Sequence, residues 1–361
     1  MKPVRIARQR LANQRLVGEP FGSIVEVVER LGAVQAQDYA GAKWGVAQRT
    51  DGAADADVEA LVADGTILRT HVLRPTWHFV AAPDLRWMLA LTGPRVKRLM
   101  ASYNRKLELT DAVFRRSNAA IAKALEGGRQ LTRTELAAAL GRARIEHGGT
   151  QRLAHIVMNA ELDALICSGA RRGKQFTYAL LDERAAPSRA LGRDESLAEL
   201  ARRYFTTRGP ATAQDFSWWS GLTVGDAVRG AEAADGLREL EIEGRRHWSG
   251  TADVPVPAKI SSAHLLPDYD EFFIGYRDRG AVLQLVGHKQ PYERAASMFS
   301  NVIEIDAQLV GGWTRTASAK SVTIATNYLA TVAPAKRRAV EAQAKRYGAF
   351  LGVPVDVVSS S

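Results

Sequence analysis

The sequence predicts an α+β protein of three tandem winged-helix units followed by a C-terminal β-rich region. Three observations carry that expectation. Helix-start signals recur along the chain, three stretches repeat one order of short helices and then β-rich residues, and the positive charge is confined to one half. A third helix followed by a hairpin wing is the order of a DNA-reading winged helix. With 361 residues, the chain is long enough for two to three domains, at roughly 150 residues each.

The elements follow in chain order. An amphipathic first helix near 4–17 would turn Ile6, Leu11 and Leu16 inward. Capping boxes then mark helix starts at Ser23-x-x-Glu26, Thr132-x-x-Glu135, Ser196-x-x-Glu199 and Thr223-x-x-Asp226, since the hydroxyl satisfies a free amide while the acid reaches back. The first unit, within 1–110, has helices near 23–32 and 57–64. After them comes Arg69-Thr-His-Val-Leu-Arg-Pro-Thr-Trp-His-Phe-Val80, a β-forming run around Arg74-Pro75. A connecting helix fills 83–110. The second unit, 111–190, has helices near 117–126, 133–140 and 151–168 before the basic hairpin Arg171–Tyr178. The third, 191–255, has helices near 196–207, 212–220 and 223–234 before strands at 237–243 and 245–248. Residues 256–361 read as strands at 282–286, 302–305 and 308–316 with a Gly311-Gly312 turn, a basic helix over 335–348 and a loose tail from Val353.

The net charge is +10. Residues 1–180 hold 27 Lys and Arg against 17 Asp and Glu, whereas residues 181–361 hold 22 of each. Of the basic residues, 38 are arginine and 11 lysine, and the planar guanidinium fork suits phosphate. A one-sided basic field points to an anionic polymer as partner, with nucleic acid favoured. The single cysteine, Cys167, excludes an internal disulfide framework and a cysteine-ligated zinc or iron–sulfur site. No apolar run reaches the length of a membrane helix, and the N-terminus does not read as a secretory signal. The expected location is the cytoplasm, on nucleoid DNA.

Common catalytic signatures are absent. No Walker A loop, dinucleotide-binding glycine motif or H-E-x-x-H occurs. His71 and His78 have opposite parity in the hairpin and form no metal pair. The most unusual string is Val34-Gln35-Ala36-Gln37-Asp38. In an extended segment positions i and i+2 point the same way, so two amides could converge on one water, donating and accepting together. The same residues would equally serve as solvated turn residues or helix caps, and composition alone favours that reading.

Val34–Tyr39 and Arg69–Val80, together with His264-Leu-Leu-Pro-Asp268-Tyr-Asp270-Glu271 and Gly311-Gly312-Trp313, resemble the signatures of the AlkZ/YcaQ-type winged-helix DNA glycosylases. The resemblance spans roughly residues 5–350. It implies a C-shaped arrangement of the three units around duplex DNA, acting as a monomer without cofactor or metal. The implied activity is hydrolysis of the N-glycosidic bond of N7-alkylated guanine, including bulky natural-product adducts and interstrand crosslinks, for repair or self-resistance. The glutamine–x–glutamine pattern places the chain in the AlkZ-like branch, with Gln35 and Gln37 positioning water and Asp38 as an electrostatic helper. Arg69, Arg74, Arg171, Arg172, Lys174, Trp313 and Arg315 are candidate DNA contacts. Asp268, Asp270 and Glu271 are expected to cap helices or pair with arginines. The competing reading is a non-catalytic winged-helix regulator or adduct-binding shield, although three unlike units in one chain do not suit a palindromic site.

Overall fold

Several helix starts fall where small hydroxyls satisfy free amides. The computed structural model describes residues 1–186, 190–252, 254–256, 262–286, 301–318 and 320–359. Helix α1 spans Pro3–Asn13 and α2 spans Ile24–Leu31, with the Ser23 hydroxyl accepting from the Glu26 amide. After α2 come β1 (Val34–Gln35), α3 (Tyr39–Ala47), α4 (Asp55–Asp64), β2 (Ile67–His71) and β3 (Trp77–Ala81), whose sheet order is β1-β3-β2. The long helix α5 (Leu85–Lys106) leads to a second run of the same order: α6 (Asp111–Leu125), β4 (Leu131–Thr132), α7 (Arg133–Arg142), α8 (Gly149–Leu162), β5 (Ile166–Ser168) and β6 (Thr177–Leu180), with sheet order β4-β6-β5. The short α9 (Leu181–Arg184) links to a third run. It contains α10 (Arg193–Arg208), α11 (Ala213–Ser220), α12 (Val224–Ala233) and the hairpin β7 (Leu237–Ile242) and β8 (Arg245–Gly250). Here an isolated pairing of Ala211 with Trp248 stands where the other two runs have their first strand.

The C-terminal region is a five-stranded sheet ordered β13-β12-β11-β10-β9. Its strands are β9 (Ala263–Leu266), β10 (Val302–Ile305), β11 (Gln308–Ala317), β12 (Val322–Tyr328) and β13 (Val355–Ser359), with helix α13 (Glu271–Ile274) after β9 and a terminal helix at Pro334–Leu351. Trp44 of α3 joins this sheet to the first run: its indole donates to the Leu265 carbonyl at 2.7 Å while its ring meets Tyr347 and Phe350. Helix α1 packs away from the first run. Ala7 and Leu11 share a core with Leu266, Phe272 and Leu309, and Arg10 and Asn13 donate to Pro210 and Gly209 of the third run.

Several sequence expectations need correction. Residues 39–47 form a helix that no periodicity announced, because α3 is buried on nearly every face and lacks an amphipathic stripe. The third helix of the second run stops at Leu162, and Ile166–Ser168 is strand. Ser196 lies inside α10, whose start is capped at Gly192 by the Glu195 carboxylate at 2.8 Å. Residues 282–286 are the end of a 3-10 turn over Gly280–Val282 and a second turn rather than a strand, and the tail to Ser359 pairs in parallel with β12. Gly311-Gly312 is no turn. The reversal is at Asp306-Ala307, both at positive φ, and the glycines lie inside β11. A Cβ at Gly311 would collide with the Asn327 carbonyl of β12, which dictates glycine there.

Gly311→Ala is therefore expected to destabilise the fold by about 1–3 kcal/mol, the range for inserting a methyl group into close packing. A urea midpoint equal to that of the wild type would show that β11 and β12 are not held this closely.

Candidate active site

The glutamine string sits where the first run, the third run and the C-terminal segment meet. Gln35 ends β1, paired with His78 of β3, and Ala36 donates to the Trp77 carbonyl at 2.7 Å. The Gln35 side chain is only 5% exposed, yet its surroundings are polar. Its Oε1 accepts from Arg74 Nη2 at 2.6 Å, and its backbone N–H donates to Glu271 Oε1 at 2.9 Å. Gln37, beyond the strand end, is exposed. The two amides thus differ in setting: Gln35 is buried and anchored, whereas Gln37 stands at the surface. Asp38 stands at the N-terminal boundary of α3 without a side-chain capping bond, and its carboxylate accepts from Arg315 at 2.6 Å.

Glu271 is fully buried and fully used. Its Oε2 accepts from Arg208 at 2.7 Å and from the Trp219 indole at 2.9 Å. Arg208 in turn donates to the Leu31 carbonyl at 2.9 Å, closing the C-terminus of α2. Beside it, Asp270 caps α13 through the Phe272 amide and takes both terminal nitrogens of Arg49 at 2.9 Å. Tyr269 stands between the acids at φ 61°, a left-handed conformation costly for a bulky residue. That kink sends Asp270 inward while leaving Asp268 partly exposed and Tyr269 at the surface. The expectation that Asp270 and Glu271 cap or pair with arginines matches these contacts. Sequence reasoning missed that the pairs hold the glutamine strand, since nothing local links residue 271 to residue 35.

Burial, then repulsion from Asp38, raises the Asp268 pKa to about 6, against the opposing pull of Arg315. Two carboxylates and one guanidinium thus share a patch beside Gln37. His78 is buried, and desolvation followed by the Arg74 charge depresses its pKa, so the imidazole is neutral. His71 is bound to Glu161 at 2.5 Å.

The candidate DNA contacts divide. Arg69, 8% exposed, is no surface residue. Its Nε donates to the Ala36 carbonyl at 3.0 Å, and its guanidinium lies 4.5 Å from the Trp77 ring and 4.4 Å from Phe176. Burial lowers its pKa to about 10. Trp313, 3% exposed, donates to the Leu266 carbonyl and packs on Tyr347. Both are covered: every residue of β2 is buried, and Trp313 lies in the buried first half of β11. Arg74 reaches Gln35 and the Trp218 carbonyl. Arg171 pairs with Glu59 at 3.2 Å and Arg172 with Glu135, while Lys174 is exposed at the second hairpin tip.

The site thus gathers amides, carboxylates and guanidinium groups, and among the described residues no cluster of His, Cys, Asp and Glu could hold a metal ion. The family of AlkZ-like DNA glycosylases matches residues 28–350, and the chain belongs to it; it is a DNA glycosylase. A curated relative, an interstrand DNA cross-link repair glycosylase from Streptomyces sahachiroi, is 26% identical over 84% of this chain and 85% of that protein. The solved structure of the Streptomyces sahachiroi DNA glycosylase AlkZ superposes with a TM-score of 0.79 at 23% identity, covering 98% of this chain and 99% of the other. That likeness establishes the fold.

Two outcomes test this geometry. Glu271→Ala leaves Arg208 buried without its carboxylate and should cost about 3–5 kcal/mol of stability. A loss below 1 kcal/mol in urea denaturation would mean the pair is not buried as described. Carboxyl carbon NMR should show Asp268 titrating near pH 6. Removing the neighbouring negative charge in Asp38→Asn should lower that midpoint, and Arg315→Ala should raise it. An Asp268 midpoint near 4 in the wild type contradicts the shared patch.

Proposed function

We propose that the chain hydrolyses the N-glycosidic bond of N7-alkylated guanine in duplex DNA, bulky adducts and interstrand crosslinks included, with Gln35 and Gln37 holding the attacking water. The observation that carries this is the anchoring of Gln35. Arg74 occupies its amide oxygen, so the NH2 end is what remains to donate, and Glu271 fixes the strand beneath it. A water that accepts from Gln35 and donates to the Gln37 carbonyl oxygen keeps a lone pair for the sugar. N7 alkylation leaves the base positively charged. As the glycosidic bond breaks, its electron pair neutralises that cation and no general acid is required. Water oxygen then bonds to the anomeric carbon, and its proton passes to solvent or to the carboxylates of Asp38 and Asp268. Those negative charges also favour the cationic sugar of the transition state.

The three helix–strand–helix–helix–hairpin runs are read as winged helices arranged in a C around the duplex. Arg171, Arg172 and Lys174 at the second hairpin and Arg315 on β11 are the proposed phosphate contacts, exchanging internal carboxylate partners for DNA. Arg69 and Trp313 are withdrawn from that role, and Arg74 is assigned to positioning Gln35. The relative's name, which includes cross-link repair, supports bulky lesions over simple methylation. The enzyme is proposed to act as a monomer in the cytoplasm, where one lesion needs one wrapped chain.

DNA carrying N7-methylguanine, incubated with protein and then heated in alkali, should break at the lesion. Gln35→Ala and Gln37→Ala should each slow breakage by about 100-fold, the scale of a lost positioning contact, with DNA affinity kept. Undiminished breakage in the double variant removes the pair from the mechanism, and tight binding by the wild type without base release favours the shield.

A further inference from the structure

The left-handed residue between the two acids does more than bend the chain. The Asp270 backbone N–H donates to the Pro267 carbonyl at 3.2 Å, closing a turn over 267–270 with Tyr269 at its third position, φ 61°. A turn with positive φ at that position favours glycine or asparagine, because a larger side chain crowds the backbone. The turn is seated on α3. A Cβ at Gly41 would meet the Asp38 carboxylate and Pro267, and one at Gly45 would meet Pro267 and Asp270. Two glycines one helical turn apart thus admit the turn against the helix. Glycine at position 269 would make the same bend at less cost, so the backbone does not account for the tyrosine.

Packing does not account for it either. Tyr269 is 37% exposed, and among the described residues its ring has no aromatic or cationic partner and its hydroxyl no hydrogen bond. Negative charge borders it. Asp268 precedes it, Asp38 abuts Pro267 of the same turn across Gly41, and partial burial, then Asp268 and Asp38, raises the phenol pKa. Arg315, the cation of this patch, is spent on Asp38 at 2.6 Å. An open ring face edged by two carboxylates suits a cation. In the proposed reaction the purine is cationic before the bond breaks. The bonding pair then leaves with the purine, which becomes neutral, and the positive charge passes to the deoxyribose until water supplies its lone pair. The attacking water stands opposite the departing base across the anomeric carbon. A residue on the water's side, where Gln37 and Asp38 adjoin, therefore meets the sugar rather than the purine. Only a group that favours the charge present in the transition state speeds the reaction.

We propose that Tyr269 is a further catalytic residue: its ring lies against the deoxyribose of the lesion and, with Asp38 and Asp268 at its border, stabilises the positive charge that develops on the sugar. The inference rests on the reading of the chain as an alkylguanine glycosylase and adds to it a residue that recognises the transition state rather than the lesion.

The test uses two duplexes with an abasic-site analogue at the lesion position, one a pyrrolidine whose protonated nitrogen mimics the charged sugar, the other a neutral tetrahydrofuran. The wild type should bind the pyrrolidine duplex about tenfold or more tightly than the tetrahydrofuran duplex. Tyr269→Asn removes the ring and tolerates positive φ, so it should keep the wild-type urea midpoint and bind the tetrahydrofuran duplex within about twofold of the wild type. It should lose about tenfold in pyrrolidine affinity and in single-turnover release of N7-methylguanine, the scale of one cation–π contact. Tyr269→Phe retains the ring and should stay within about threefold of the wild type in both. Wild-type release by Tyr269→Asn, equal losses on the two analogues, or a Phe variant as slow as the Asn variant overturns the assignment. A fall in both the urea midpoint and tetrahydrofuran affinity of Tyr269→Asn makes the residue structural and overturns it as well. Should the wild type release no N7-methylguanine, the glycosylase reading fails. The analogues then decide Tyr269 alone, and a pyrrolidine preference absent from the wild type or undiminished in Tyr269→Asn overturns it.

Discussion

One buried carboxylate ties the glutamine strand to the rest of the molecule. Glu271 receives the backbone N–H of Gln35, the indole of Trp219 and the guanidinium of Arg208. These groups belong to the first and third runs, while Glu271 itself opens the helix that follows β9 of the final sheet. Removing two charges from water costs several kcal/mol per ion, and the pair returns this only when every remaining lone pair and proton is satisfied. Here they are: Arg208 spends its other donors on Leu31, Ala33 and Thr207. The charge pair is thus less a source of stability than a demand for one geometry. Any displacement of β1 leaves a buried charge unsatisfied, so the position of Gln35 is specified by electrostatics rather than by apolar packing alone.

The neighbouring acids extend the same logic outward. Asp270 is turned inward to Arg49, whose second partner is Gln14 beyond α1. Helix α1 therefore bridges the third run and the C-terminal sheet. Asp268, two residues before Asp270, is left with Asp38 and Arg315. The left-handed Tyr269 separates the two roles. Its strain, of order 1–3 kcal/mol for such conformations, places a structural acid and a solvent-facing acid within three residues. Leu73 repeats the device at the first hairpin, at φ 63° immediately before Arg74.

The fold was legible where its causes are local. Capping hydroxyls marked α2, α7 and α12, β-branched and aromatic runs marked the first hairpin, and the order of elements repeats three times in the sequence pattern itself. What escaped has non-local causes. Helix α3 is wrapped by the final sheet and the terminal helix, so its periodicity is erased. Gly311-Gly312 read as a turn because glycine pairs usually are, whereas here Gly311 admits the neighbouring strand's carbonyl. The glutamine string was conspicuous in sequence, but its support came from residues 74, 208 and 271, which only folding brings near. Arg69 and Trp313 misled because residue type says nothing of which strand face is covered. The exposed cations of the second hairpin were legible for the converse reason: a tip beyond the sheet has no covered face.

Why amides rather than acids stand at the centre follows from Arg74. A carboxylate at position 35 would take both forks of that guanidinium and present no donor. It would also sit buried as a charge whose stability depended on one partner. An amide satisfies Arg74 through oxygen and keeps a donor at its other end. It carries no charge to neutralise and stays in one protonation state across the range where Asp268 titrates. Such a group is a poor base, which is tolerable only when bond breaking is driven by the leaving group. In the proposed reaction an amide of this kind suits a purine that the lesion has already charged, because such a base departs without first being protonated.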